Sequence, residues 1–242
     1  MHSAFFGEFM GTLVLVLMGN GVVANVVLKK TLGENSGWMV ICTGYGLAVM
    51  SGVLVAIACG SSDAHINPAV TLGMAIASND FSKIATYWPA QILGAMAGAL
   101  LVWLHFMPHW RLTENQGNKL ACFSTGPAVP STPSNLFSEL LGTFLLVGII
   151  GAIFSKPVSL AGPAPALGPF LVGATVWAIG LGLGGTTGFA INPARDLGPR
   201  IMHAILPIPG KGGSNWGYAW VPVVGGLIGG AIAGVLIKFH YS

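Results

Sequence analysis

The chain has 242 residues, of which 53% are hydrophobic and only 7% are charged, and its formal net charge is +3. Soluble domains carry about 25% charged residues, and the much lower share in this chain excludes an ordinary soluble domain of this length. The small net charge gives no reason to expect a nucleic-acid partner. Together with a mean hydropathy of +0.76, the composition predicts a membrane protein.

Six segments are long and apolar enough to cross a bilayer, which requires about 20 predominantly apolar residues. In chain order they are roughly 5–28, 38–59, 84–106, 136–154, 167–185 and 218–239. The first segment continues well past the length of a signal-peptide core, and nothing marks a cleavage site after it. It is therefore predicted to be retained as the first span.

Two connectors, 60–80 and 186–216, are long but apolar at their centres, and each contains an Asn-Pro-Ala triplet. Asn at the N-cap followed by Pro at the first helical position predicts a short helix in each. About ten helical residues cover roughly 15 Å, half of the hydrocarbon core. Irregular backbone at that depth is tolerated where it lines a cavity or is buried in protein. The triplets therefore predict a pore: Asn67-Pro68-Ala69 and Asn192-Pro193-Ala194.

The chain also repeats itself. The pattern Glu-x-x-Gly-Thr begins at Glu8 and again at Glu139, and each copy is followed by one of the two triplets. This order predicts one channel domain, 1–242, made of repeats at about 1–107 and 135–242 joined by a long loop, 108–134. Because each repeat has three spans, the second must be inverted, so that the two half-helices enter from opposite faces and meet near the midplane.

The meeting point of the half-helices has a distinct electrostatic character. Each helix N-terminus carries about +0.5 elementary charge, so two facing ends repel cations, including hydronium, but not neutral solutes. Asn67 and Asn192 would offer amide donors to a passing hydroxyl or water. The alternative is that each Asn only caps its own helix; two copies at corresponding positions favour the pore.

The paired triplets, the repeated Glu-x-x-Gly-Thr pattern, the stretch 64–71 and the pair Arg195-Asp196 resemble the aquaporin (major intrinsic protein) family over nearly the whole chain. The resemblance implies an all-α membrane protein with six tilted helices and two re-entrant half-helices, one pore per subunit and a homotetramer. It also implies cytoplasmic termini, whereas the distribution of Lys and Arg would place the termini outside. The short termini suggest a bacterial cytoplasmic membrane.

The same resemblance assigns Arg195 to a selectivity filter at the outer mouth, together with Tyr45, Gly180 and Phe189. Two aromatic faces would pack against the carbon backbone of a polyol while Arg195 donates to its hydroxyls. Gly180 would leave volume where water-selective relatives usually place His. A salt bridge is the alternative role for Arg195. Asp196 resembles the glycerol-conducting branch, although a carboxylate there would also satisfy the half-helix dipole.

Other polar residues are expected to line or support the pore. Glu8 and Glu139 lie within spans, and the resemblance assigns them to holding the re-entrant loops through hydrogen bonds; Gln91 is expected to help. His65, directly before the first triplet, is expected to line the cytoplasmic side of the pore, with a buried core histidine as the alternative. Asp63 stands where relatives commonly have Gly, and it could constrict or charge the inner mouth.

These residues predict a passive channel for glycerol and similar small uncharged solutes, with some water, that excludes ions and protons. Protonated small acids such as lactic acid would meet the same criteria of size and neutrality. A water-selective channel is the nearest alternative. A coupled transporter would need an ionisable group in its pathway, for which Glu8 and Glu139 are the span candidates. The sequence shows no catalytic or metal-ligand constellation and predicts no enzyme, metal or cofactor.

Overall fold

The computed structural model describes residues 2–158 and 160–240. In this part of the chain the helices are α1 (Ala4–Val27), α2 (Trp38–Ala58), α3 (Pro68–Ser78), α4 (Ile84–His105), α5 (His109–Leu112), α6 (Gln116–Ala121), α7 (Thr132–Ile153), α8 (Leu167–Leu183), α9 (Pro193–Ile205) and α10 (Trp216–His240). Five of them, α1, α2, α4, α7 and α10, are long and apolar enough to cross a membrane. The sixth predicted span, α8, is apolar but has only 17 residues.

The two Asn-Pro-Ala triplets begin the short helices α3 and α9. Asn67 has an extended backbone, and its side-chain oxygen accepts from the Ala69 N–H at 2.9 Å. Asn192 accepts in the same way from Ala194 and Arg195. Helices of 11 and 13 residues extend roughly 16 to 20 Å, too short to cross a bilayer.

The packing joins the two halves of the chain. Helix α1 packs against α2 and α4, and α7 packs against α8 and α10. Each short helix packs against the last long helix of the other half, α3 on α10 and α9 on α4. Glycine allows the close approach of α3 and α10, since a Cβ on Gly230 would lie 2.5 Å from the carbonyl oxygen of Ala69.

The connector predicted as a long loop at 108–134 is more ordered than expected. It contains α5 and α6, and α7 begins at Thr132 rather than after residue 134. Helices of four and six residues are too short to show an apolar period in the sequence. The segment from Cys122 to Thr125 is buried, so this connector folds back into the helix bundle.

Candidate pore and selectivity filter

A cavity of about 440 Å³ runs between the helices of the single chain. At one end is a group of polar residues, here called the Asp63 mouth, formed by Ser62, Asp63, Asp80 and Lys83. The cavity then passes Asn67 and Asn192 of the two triplets. The aliphatic residues of the lining, here called the aliphatic wall, come from four helices and include Val49, Val53, Val70, Leu146, Ile150, Val172 and Val176. At the other end the cavity reaches Tyr45, Phe189 and Arg195.

The two triplets are tied to each other in the middle of the cavity. The amide Nδ2 of Asn67 donates to the carbonyl oxygen of Ile191 at 2.8 Å, and Nδ2 of Asn192 donates to that of Ile66 at 2.9 Å. Each Asn side-chain oxygen caps its own half-helix. A carboxamide has two N–H donors, so each Asn keeps one beyond this crossed pair. Capping and a pore-facing donor are therefore compatible.

The backbone before each triplet is strained in the same way. Ile66 and Ile191 have φ of 44° and 41°, and Ala64 and Phe189 have φ of 47° and 37°. Such left-handed conformations are costly for residues with a Cβ, by about 1–3 kcal/mol each, and persist only when the surroundings hold them. The matching pairs show that both re-entrant loops follow the same path.

Two buried carboxylates hold these strained loops. Glu8 accepts from the backbone N–H groups of His65 at 2.8 Å and Ile66 at 2.7 Å. Glu139 accepts from those of Ala190 at 3.1 Å and Ile191 at 2.9 Å.

Gln91 supports the first of these loops by donating to Glu8 at 2.8 Å and to Thr71 at 3.0 Å. Both carboxylates are fully buried and lie outside the cavity lining. They support the pore wall and do not stand in the path of a solute.

The filter end of the cavity combines two aromatic rings and one cation. The Tyr45 and Phe189 ring centroids are 5.6 Å apart at an interplanar angle of 77°. The Arg195 guanidinium carbon lies 4.7 Å from the centre of the Tyr45 ring, and Nη1 donates to the Phe123 carbonyl at 3.4 Å. Among the described residues no carboxylate forms an ion pair with Arg195. Arg195 is among the residues that line the cavity.

Gly180 lies behind the filter and does not line the cavity. A Cβ at this position would lie 2.9 Å from Cζ of Phe189 and 3.0 Å from Sγ of Cys42. The volume that the sequence analysis assigned to the solute is thus occupied by the Phe189 ring. The missing side chain therefore leaves room for the Phe189 ring.

His65 lines the cavity between the Asp63 mouth and the triplets. Its Nδ1 is 3.2 Å from the Thr71 hydroxyl, and its ring packs edge-on against Tyr87. Asp63 pairs with Lys83. Partial burial disfavours the charged form of Asp63, but hydrogen bonds from Lys83 and Ser62 outweigh it and hold the pKa of Asp63 below its ordinary value. The mouth therefore carries a paired charge.

Asp196 is fully buried and faces away from the cavity. Its Oδ1 accepts two hydrogen bonds from Arg200, at 2.9 and 2.7 Å, and its Oδ2 accepts from the backbone and hydroxyl of Thr125, at 2.8 and 2.7 Å. Arg200 also donates to the carbonyls of Thr125 and Ser214. The pair thus fastens the connector between the two halves onto the half-helix that carries Arg195.

Several residues that contact this site were not among those predicted from the sequence. Asn20 was detectable, because it is an amide within an apolar span, and such residues usually have a partner. Arg200 was detectable as a cation in the short helix that the second triplet begins, four residues after Asp196. Phe123 and Thr125 gave no signal, because only the fold brings their connector back to the filter.

The fold and this cavity define the class of protein: a multi-pass helical membrane channel whose pathway lies within one chain. The family model for the major intrinsic proteins matches residues 1–237. A "Glycerol uptake facilitator protein" of Streptococcus pneumoniae is 55% identical over 234 residues, covering 96% of this chain and 97% of that protein. A "Probable glycerol uptake facilitator protein" of Thermotoga maritima is 54% identical over 242 residues, 99% of this chain and 100% of that protein.

Among solved structures, the aquaglyceroporin from Plasmodium falciparum superposes with a TM-score of 0.84 at 31% identity, covering 98% of this chain and 95% of that one. The chain belongs to the major intrinsic protein family and has the aquaporin fold, as its sequence motifs predicted. It is a channel and not an enzyme.

Proposed function

We propose that this protein is a passive channel for glycerol and similar small uncharged solutes, with some water. The filter carries the proposal: two aromatic faces, Tyr45 and Phe189, stand beside Arg195, which no described carboxylate neutralises. A polyol has a carbon side that suits the rings and a row of hydroxyls that suits the guanidinium. The bacterial relatives that are named glycerol uptake facilitators support glycerol as the solute.

Exclusion of ions and protons forms the second part of the proposal. The N-termini of α3 and α9 face each other across the crossed amides of Asn67 and Asn192. Their dipoles oppose the entry of any cation. The aliphatic wall cannot replace the hydration shell of an ion, which is costly to remove. A protonated small acid such as lactic acid would meet neither obstacle, and its uptake should decline as the acid ionises.

The assembly and placement follow from the family resemblance. We propose a single channel domain, 1–242, with inverted repeats at about 1–107 and 135–242. We also propose a homotetramer in the bacterial cytoplasmic membrane, with the Asp63 mouth facing the cytoplasm. Each subunit would conduct on its own, since the cavity is enclosed by one chain. Native mass spectrometry of the purified protein tests the tetramer.

The function is tested by stopped-flow light scattering of proteoliposomes in an inward glycerol gradient. Wild-type vesicles should re-swell faster than empty ones. Val53 lines the cavity and is 7% exposed, whereas the next residue, Leu54, faces outward and is 41% exposed. Val53→Trp should block re-swelling, and the matched Leu54→Trp should not. Rapid water flow without accelerated glycerol entry would contradict the proposal and favour a water-selective channel.

A further inference from the structure

The geometry points to Asn20 of helix α1 as a positioning residue of the filter: we propose that it holds the Tyr45 ring back from the lumen and so sets the width available to a polyol. This inference rests on the proposed function, because it concerns how the same filter distinguishes glycerol from water. Asn20 is fully buried and lies outside the cavity lining. It would act through the groups that it contacts and not by touching the solute.

Asn20 is hydrogen-bonded to the side chain that it is proposed to position. The Tyr45 hydroxyl donates to Oδ1 of Asn20 at 2.5 Å. The hydroxyl is thereby directed into the interface between α1 and α2 and is not offered to the solute. Tyr45 presents its ring to the cavity, and the ring face receives the Arg195 guanidinium.

The Tyr45 ring occupies the space that a side chain on Gly19 would fill. A Cβ on Gly19 would lie 2.4 Å from Cε1 of Tyr45 and 2.8 Å from Cδ1. The ring therefore lies directly against the backbone of α1, where no other residue type leaves room for it. With α1 on one side, a ring released from Asn20 can move only towards the cavity and Phe189.

Asn20 is also connected to the Arg195 guanidinium, through the carbonyl of Phe123. The Asn20 amide donates to the Phe123 carbonyl at 3.0 Å, and Nη1 of Arg195 donates to the same carbonyl at 3.4 Å. One buried side chain thus fixes both an aromatic wall of the filter and the carbonyl that orients its cation. Asn20 can connect these two groups because its side-chain oxygen accepts from Tyr45 and its amide nitrogen donates to Phe123.

The test measures glycerol and water permeability on the same vesicles for Asn20→Leu and Tyr45→Phe. Each variant removes the same hydrogen bond, whose net worth corresponds to about a fivefold change in an equilibrium. We expect the glycerol-to-water ratio to fall by about that factor in Tyr45→Phe and by at least that factor in Asn20→Leu, which also loses the bond to Phe123. The double variant should fall no further than Asn20→Leu, because the bond that Tyr45→Phe removes is already lost in it. Gly19→Ala should lower the ratio as well, by displacing the ring directly.

Asn135→Leu is the matched control, since Asn135 is also a buried amide bonded to a backbone carbonyl, that of Val129. Its ratio should equal that of the wild type. Misfolding lowers both permeabilities together and leaves their ratio unchanged. If Asn20→Leu cannot be purified, Tyr45→Phe and Gly19→Ala decide the question. A ratio that stays constant or rises in variants that keep the wild-type water permeability overturns the inference alone, whereas a wild type without glycerol flux overturns the proposed function and this inference with it.

Discussion

Replacing Asp196 by Leu should destabilise the protein strongly, because it strands a buried cation. Asp196 and Arg200 are both fully buried, and Arg200 gives Asp196 two of its hydrogen bonds. Removing one partner of a buried ion pair costs about 3–5 kcal/mol. The loss should appear in the free energy of unfolding, measured by helical circular dichroism during titration of micelles with sodium dodecyl sulfate.

Two further variants isolate the ionic contribution. The double variant Asp196→Leu with Arg200→Met removes both charges and should lose clearly less than the sum of the single variants. Lys29→Met breaks the exposed pair with Glu34 and should change the free energy of unfolding far less than Asp196→Leu does. An Asp196→Leu protein as stable as the Lys29→Met protein, or strictly additive losses in the double variant, would refute this reasoning.

Three smaller predictions follow from other contacts. Gly180→His should abolish glycerol flux while water flux persists, because a side chain there pushes Phe189 into the lumen; equal loss of both fluxes would argue against it. Glu139→Gln leaves one of two loop N–H groups without an acceptor and should lower the free energy of unfolding in the detergent titration by about 1–3 kcal/mol. An unchanged free energy of unfolding would show that the loop does not depend on this carboxylate. Asp63→Asn should cost less than about 1 kcal/mol near neutral pH. The pKa of Asp63 is lowered and that of Lys83 is raised, so the loss should shrink as the pH falls through the lowered pKa of Asp63 and as it rises above the raised pKa of Lys83. A loss in thermal midpoint that does not shrink as the pH is lowered from neutral would contradict this prediction.

The fold was largely predictable because each span is a continuous apolar segment and each half-helix begins with an Asn cap and Pro. All six predicted spans correspond to observed helices, α8 ending a little early at Leu183. The connector between the halves was not predictable, since α5 and α6 have too few residues to show a period. Its burial depends on bonds to distant residues, such as that from Asn20 to Phe123.

The residues of the proposed filter could be predicted from the sequence, but the contacts that position them could not. The sequence placed Tyr45, Phe189 and Arg195 at one site by resemblance, and the structure brings them together. It could not show that Gly180 makes room for Phe189 instead of for the solute, because that depends on the rotation of α8 relative to the ring. Nor could it show that Asp63 is paired with Lys83, twenty residues away.

The central claim is that one cavity passes neutral polyols and rejects ions, and one paired measurement tests it most directly. Proteoliposomes that contain a pH-sensitive dye are given first a glycerol gradient and then a potassium diffusion potential. Glycerol should enter much faster than in empty vesicles, while the internal pH changes no faster than in empty vesicles. Glycerol entry that requires a proton or sodium gradient, or a proton leak that the Val53→Trp variant removes, would contradict the claim.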